Sequence, residues 1–326
     1  MPEAPCRIEV LRPGAFSTLQ DLGRRGFQHL GVSVSGAMDQ AAHRLANAAV
    51  GNPPDMPTLE ITLLGPVLRF SSRAVIACCG ADLSPSVDGK PLPRDRAANV
   101  PAGATLRFGE RRTGVRAYLA VRGGFVVPRV LGSVSTHVRS GLGGLGGRPL
   151  AAGDLLELAA PQGPAPRPRA RAQRARQALL EALADPGPIR ILLGSEWPQF
   201  TPASQSCWLE QAWRIGAQSD RMGYRLQGPA LQRRVRADML SETVTFGTVQ
   251  VPPDGCPIVL MADRQSTGGY PRIAQVASVD LPRLAQCAPG SSLRFTLIDV
   301  DCAQRLLLER ARLYADLFPE PSPRAT

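Results

Sequence analysis

The stretch QVPPDGCPIVLMADRQSTGGYPRI, residues 250–273, sets the reading of the whole chain. Residues 257–262 form a continuous apolar run, as in a strand buried on both faces, and 273–279 resume an apolar, β-branched pattern. Between them, Asp263-Arg264-Gln265-Ser266-Thr267-Gly268-Gly269-Tyr270-Pro271 crowds hydrogen-bonding side chains ahead of two glycines. Two readings stand for this strand, loop and strand. Gly268 and Gly269 close a hairpin, or they adopt positive φ and offer bare N–H groups to a ligand.

Outward from that loop, short strands recur. Residues 8–11, 59–70 broken at Gly65-Pro66, 74–79, 92–100, 105–108 and 118–121 read as strands in the first half. Residues 189–193, 244–251 and 293–298 read so in the second. Such spacing, with turns at Asp88-Gly89 and 101–103, is the pattern of a barrel or sandwich. A helix follows Gly31–Asp39, with Asp39 or Ser35 able to accept from the exposed amides at its N-terminus, and ends at Gly51-Asn52-Pro53-Pro54. A short helix is predicted over 281–286, and an amphipathic one over 302–318 with Asp301 as its cap.

Residues 161–176, PQGPAPRPRARAQRAR, are rich in Pro and Arg and have no apolar face, so they read as a linker entering a short helix. The expected division is 6–160, a linker and short helix over 161–187, and 188–320. The two halves echo each other: Ser35-Gly36-Ala37-Met38 resembles Ser219-Asp220-Arg221-Met222, and residues 101–108 resemble 289–295. Two related barrel-like domains follow, and a cleft between such domains is a usual place for a ligand.

Composition excludes several classes. With 32 glycines and 31 prolines in 326 residues, turns dominate over long helices. The net charge of +11 is almost all arginine, Lys90 being the only lysine, and only 5% of residues are aromatic. That composition does not describe a nucleic-acid surface. Seven cysteines with no C-x-x-C spacing indicate neither a disulfide framework nor a zinc site, and no metal site is expected. With no leader and no apolar run of bilayer length, the expectation is a soluble, cytoplasmic protein with no membrane partner.

The three histidines, His29, His43 and His137, all lie in the first half, so a Ser–His–Asp set within the second is impossible. His43 on a helix reads as a satisfied structural residue. A G-x-G-x-x-G occurs at Gly141, Gly143 and Gly146, but turn and strand follow it where a dinucleotide site needs a helix, so it reads as a loop or flap. The remaining polar set is Ser35, Asp39, Asp220, Arg221, Tyr224, Arg225, Gln250, Asp263, Gln265, Thr267 and Tyr270, with the amides of Gly268 and Gly269. Arginines hold carboxylates, Gln and Thr hold amides, and a desolvated Asp263 moves a proton. Asp263, Gln265 and Tyr270 are the catalytic candidates and the others the substrate-binding ones. The set suits a small polar carbonyl or amide.

The motifs at 17–24 (STLQDLGR), 35–39 (SGAMD), 147–150 (GRPL), 219–226 (SDRMGYRL), 250–255 (QVPPDG) and 268–271 (GGYP) together resemble the biotin-dependent carboxyltransferase family. The resemblance runs in order from about Ile8 to about Phe295. It implies a mainly β chain of two cyclophilin-like β-barrel domains with a few short helices. It also implies one component of a 5-oxoprolinase, joined by a KipI-like component and a LamB/YcsF-like component to hydrolyse 5-oxoproline to L-glutamate. ATP is then used by the complex, chiefly on another of its chains. Two alternatives come with the family: a carboxyltransferase acting on urea or another small amide with carboxybiotin, and a non-catalytic, KipA-like antagonist of a kinase-inhibiting protein. Lys90 sits in Asp88-Gly89-Lys90-Pro91, unlike a biotin attachment site, so no biotin is expected on this chain. Ser266 and Phe246 depart from the family's usual threonine and proline.

Overall fold

The fold is described by a computed structural model covering residues 6–161, 169–234 and 239–318. The first half packs two antiparallel sheets around one core. One has the strand order Leu155–Glu157, Arg7–Arg12, Val67–Phe70, Thr105–Arg107, Ser86–Val87, Lys90–Pro91; the other runs Phe16–Gln20, Thr58–Thr62, Thr113–Val121, Ala74–Asp82, Ala98–Val100. Alternation along Arg7–Arg12 sends Ile8 and Val10 inward. They meet Leu19, Leu59, Ile61, Phe70 and Leu119 in a single apolar cluster.

The second half is built on an eight-stranded sheet whose end strands are Ser292–Leu293 and Phe295–Leu297. Only Arg294 separates those two strands in the chain, so the sheet curls until its edges meet as a nearly closed barrel. The pairing of Ile189–Leu193 with Phe295–Leu297 is parallel; the other pairs of this sheet are antiparallel. Trp208, Trp213 and Phe295 fill the barrel, with Trp208 stacked on Phe295 at 4.5 Å between ring centroids. The mainly β expectation is met.

Among the described residues, five α-helices accompany the sheets: α1 (Gln40–Val50), α2 (Ala170–Leu183), α3 (Pro202–Glu210), α4 (Leu281–Ala285) and α5 (Val300–Leu317). Of the two cap candidates, Asp39 caps α1, its carboxylate accepting from Ala41 and Ala42 N–H, while Ser35 bonds elsewhere, and Gly51 ends the helix in the left-handed conformation. The cap of α5 is Asp299, whose side chain accepts from Cys302 N–H, and Asp301 lies inside the first turn. Residues 162–168 of the expected linker lie outside the described residues, and helix begins at Ala170, within the arginine-rich run. Helices α1, α2 and α5 form a layer on the outer face of the five-stranded sheet, where Leu45, Val50, Leu179 and Leu317 meet Ala77 and Tyr118. Thus the C-terminal helix covers the first half although it follows the second in sequence. Met38, just before α1, inserts the other way and is fully buried in the barrel core. Among the described residues, no helix is long and apolar enough to cross a membrane.

The central loop is not a hairpin. Strand Thr248–Gln250 lies between Ile258–Leu260 and Arg272–Val276 and pairs with both. Thr267–Gly268 instead pairs with Glu242–Thr243 in a separate two-stranded ribbon. Nor do Gly268 and Gly269 take positive φ. Gly268 instead packs against the Gln250 amide: a Cβ there would lie 2.4 Å from Nε2 and push that side chain aside. After the glycine-rich 141–147 segment the chain continues into strand Leu155–Glu157, as the rejection of a dinucleotide site requires.

A candidate active site at the seam between the halves

Two turns of the second half are tied together by main-chain bonds, Met261 N–H to Met222 C=O at 3.0 Å and Asp263 N–H to Arg221 C=O at 2.8 Å. This sets the Arg221 guanidinium side-on to Asp263, with Nε donating to Oδ2 at 2.8 Å and Nη2 to Oδ1 at 2.9 Å. The same guanidinium crosses into the first half, where Nη1 donates to Glu60 Oε1 at 2.5 Å and Nη2 to the Gly36 carbonyl at 2.7 Å. Ser35 answers from that side, its hydroxyl donating to Asp263 Oδ1 at 2.6 Å. Ser35 is held at φ 56°, a left-handed backbone uncommon for serine and a mark of a constrained position.

Glu60 is fully buried, and its Oε2 accepts from Met38 N–H at 2.9 Å and from the Tyr118 hydroxyl at 2.7 Å. Arg116 stands 3.9 Å from Glu60 and donates to the Tyr224 hydroxyl at 2.7 Å and the Ala285 carbonyl at 2.6 Å. Burial works against the charge on Arg221, but Asp263 and Glu60 outweigh it and the guanidinium's pKa is raised. The result is a water-poor run of alternating charge, Asp263, Arg221, Glu60 and Arg116, spanning the seam.

A second bridge joins the halves through Gln286, at the end of α4. Its Oε1 accepts from Val115 and Arg116 N–H at 2.9 and 3.0 Å, and its Nε2 donates to the Arg116 carbonyl at 2.9 Å and Asp39 Oδ2 at 2.7 Å. Burial pushes the Asp39 carboxyl up to about 6, against the bonds from Ala42 and Gln286. Native Asp39 therefore binds a proton more readily than an ordinary aspartate near 3.8. Its contribution to stability grows as pH falls through about 6 towards 4 and is lost as pH rises again. The difference in unfolding free energy between wild type and Asp39→Asn is expected to move in favour of wild type by on the order of 2–3 kcal/mol from about pH 7 to about pH 4. Denaturant titrations at several pH values measure it, and a pH-independent difference would exclude Asp39 as the titrating group.

The carboxyltransferase domain, subdomain A and B, is matched by residues 30–297. The chain belongs to the carboxyltransferase family. It is 40% identical over 305 residues to the C component of 5-oxoprolinase from Haemophilus influenzae, covering 92% of this chain and 94% of that protein. The same-named protein of Escherichia coli K12 is 39% identical over 310 residues, covering 95% and 97%. The crystal structure of Kluyveromyces lactis urea carboxylase superposes with a TM-score of 0.87 at 30% identity, over 97% of this chain and 30% of that one. The chain thus spans nearly all of each bacterial protein and under a third of the urea carboxylase.

Within this member of the carboxyltransferase family, the predicted residues fall into three groups. Ser35, Arg221 and Asp263 meet directly, and Asp39 and Tyr224 join them through Tyr118, Gln286 and Arg116. Gln250 is buried beside Gly268, its Nε2 donating to the Tyr270 carbonyl at 3.2 Å. Gln265, Thr267 and Tyr270 have exposed side chains, and Gly269, Tyr270 and Pro271 line a groove of about 300 Å³ with Leu231, Met239 and Val251. Neither Ser35, Arg221 nor Asp263 lines that groove. Asp220 is exposed and turns its carboxylate back onto Met222 and Gly223 N–H, while Arg225 faces solvent.

Glu60, Arg116, Tyr118 and Gln286 belong to the site without standing out in the sequence. Glu60 carries a usable signal, since a carboxylate in an otherwise apolar run must find a buried partner. Gln286 carries none. His43 is a structural residue, as expected: its ring contacts Thr58 Oγ1 at 2.8 Å and the Pro54 carbonyl at 3.1 Å. Burial, then the charge of Arg44, lowers its pKa to about 4.

Proposed function

We propose that this chain is the C component of an ATP-dependent 5-oxoprolinase and acts with a KipI-like B component and a LamB/YcsF-like A component. One observation carries the reading: the match to two proteins named as that C component is co-extensive, covering over nine-tenths of this chain and of each relative. In the reaction, a water oxygen bonds to the lactam carbonyl carbon, the ring C–N bond breaks and the nitrogen takes up a proton, leaving L-glutamate. Opening this ring is uphill, and hydrolysis of ATP on another chain of the complex drives it. Asp263 is the carboxylate that takes a proton from the attacking water as that water displaces Ser35, and Arg221 fixes its orientation. Gln265 and Tyr270, at the exposed side of the loop, meet the substrate as it arrives. Each half, 6–160 and 188–320, acts as a domain, in keeping with the separate apolar clusters inside their sheets, with Met38 and α5 exchanged across the boundary, and the complex works in the cytoplasm without biotin on this chain.

Purified with its two partner components, the chain is expected to release glutamate from 5-oxoproline with parallel ATP consumption, and omission of any one of the three is expected to abolish it. A stable complex that yields no glutamate under any condition would overturn the assignment. The likeness to urea carboxylase then favours a second reading, transfer of a carboxyl group from carboxybiotin to urea, for which carboxylated urea is the readout.

A further inference from the structure

Arg24 is a buried cation with unused donors. It is 1% exposed, its Nη2 donates to the Ser135 carbonyl, and its Nε and Nη1 have no partner among the described residues. The two carboxylates that favour its charge, Asp21 and Asp263, are taken up by other donors. Asp21 accepts from the Ser133 and Ser135 hydroxyls, each at 2.6 Å, and from Val134 and Gly23 N–H, each at 2.8 Å. Asp263 is held by Arg221 and Ser35. A guanidinium taken from water without full hydrogen bonding carries a desolvation cost, so such a group calls for a further partner, whether water, ion or ligand.

Its position fits that role. Ser135 and Thr136 present successive carbonyls, the first accepting from Arg24 and the second lying 3.2 Å from the Ser35 hydroxyl that reaches Asp263. Arg24 therefore sits one peptide unit from the charged seam. A second unmet group lies alongside: Ser33, whose hydroxyl is buried without a partner among the described residues, precedes Val34, the residue whose carbonyl accepts Arg24 N–H at 2.8 Å. The glycine-rich 141–147 segment packs against Arg24. Gly143 packs so closely that a Cβ there would lie 2.8 Å from Arg24 Nη2 and 2.2 Å from the Ser135 carbonyl oxygen.

We propose that Arg24 receives the carboxylate of the substrate on the guanidinium edge that Ser135 leaves free, the remaining Nη2 hydrogen acting with the unused donor beside it, once the 141–147 loop shifts off it. This rests on the 5-oxoprolinase reading, in which the substrate is a small lactam bearing one carboxylate. The planar guanidinium suits that group. The lactam amide then projects towards Ser35 and Asp263.

The test compares 5-oxoproline with 2-pyrrolidinone, the same ring without the carboxylate, in the complete three-component complex. Arg24→Gln is expected to lower kcat/KM for 5-oxoproline roughly 10- to 100-fold, chiefly through KM, the loss of a hydrogen bond to a charged group. Its value for 2-pyrrolidinone is expected to stay within about 2-fold, since that ring makes no use of the charge. Equilibrium binding of both lactams to the same complexes provides a readout independent of turnover. An Arg24→Gln complex that binds 5-oxoproline as wild type does, or loses both lactams equally, overturns the proposal. If Arg24→Gln does not fold, Arg24→Lys keeps the charge, and its loss must again fall on 5-oxoproline alone. A wild-type complex that binds neither lactam overturns the 5-oxoprolinase reading and this proposal together, whereas binding indifferent to Arg24 overturns this proposal alone.

Discussion

Arg221→Met is expected to destabilise the protein by about 3–5 kcal/mol, read as a fall in denaturant midpoint at unchanged slope. The side chain is buried and its three nitrogens serve Asp263, Glu60 and the Gly36 carbonyl. Methionine fills much of the space but strands two carboxylates in a poorly hydrated seam, and stranding buried charge costs far more than the ion pair itself contributes. The cost is therefore expected to fall sharply when Glu60→Gln and Asp263→Asn accompany it, a coupling that a set of combined variants measures. A loss below about 1 kcal/mol would mean that water reaches the seam and screens these charges.

Asp263→Asn is expected to reduce glutamate release by the assembled complex by roughly 100- to 10,000-fold, the range for removal of a proton-transferring group, with the complex still formed. Asparagine keeps the shape, and one oxygen still accepts from Arg221 or Ser35. Its NH₂ must face a donor, adding about 1–3 kcal/mol of instability that a melting curve separates from the catalytic loss. Gln265→Ala serves as the contrast, since Gln265 is exposed and its truncation leaves stability within about 0.5 kcal/mol. A drop of less than about 3-fold for Asp263→Asn would move the chemistry away from the seam.

Much of this arrangement is legible in the sequence because local rules and tertiary structure agree there. Apolar runs are strands, Asp39 is the cap of α1, and Gly65-Pro66 marks the break between strands Thr58–Thr62 and Val67–Phe70. The central loop stands out by its polar crowding, and Ser35, Arg221 and Asp263 come with it. The disagreements have identifiable reasons. Residues 257–262 and 273–279 look like partners only if chain neighbours pair, and a barrel places Thr248–Gln250 between them. Helix α3 is hard to read although Thr201 and Pro202 are a sound start signal, because its apolar residues show little helical period. The α5 cap lies two residues from the expected one because Asp299 and Asp301 offer the same chemistry. Gln286 is invisible because its four bonds all lie at sequence separations of 170 residues or more.

That last residue bears on how such a chain can change over evolution. The pairing of Thr113–Val121 with Ala74–Asp82 slips between Thr113 and Ala117, leaving Val115 and Arg116 to be completed by the side-chain amide of Gln286. One glutamine thus stands in for a stretch of missing strand, and it is lent by the other half. The halves are therefore poor units for shuffling. A chimera that joins the first half of one family member to the second half of another inherits a working ladder only if the borrowed turn carries an amide of the same reach and the recipient keeps its Asp39 counterpart. The boundary along which such proteins recombine runs through side chains rather than through the linker.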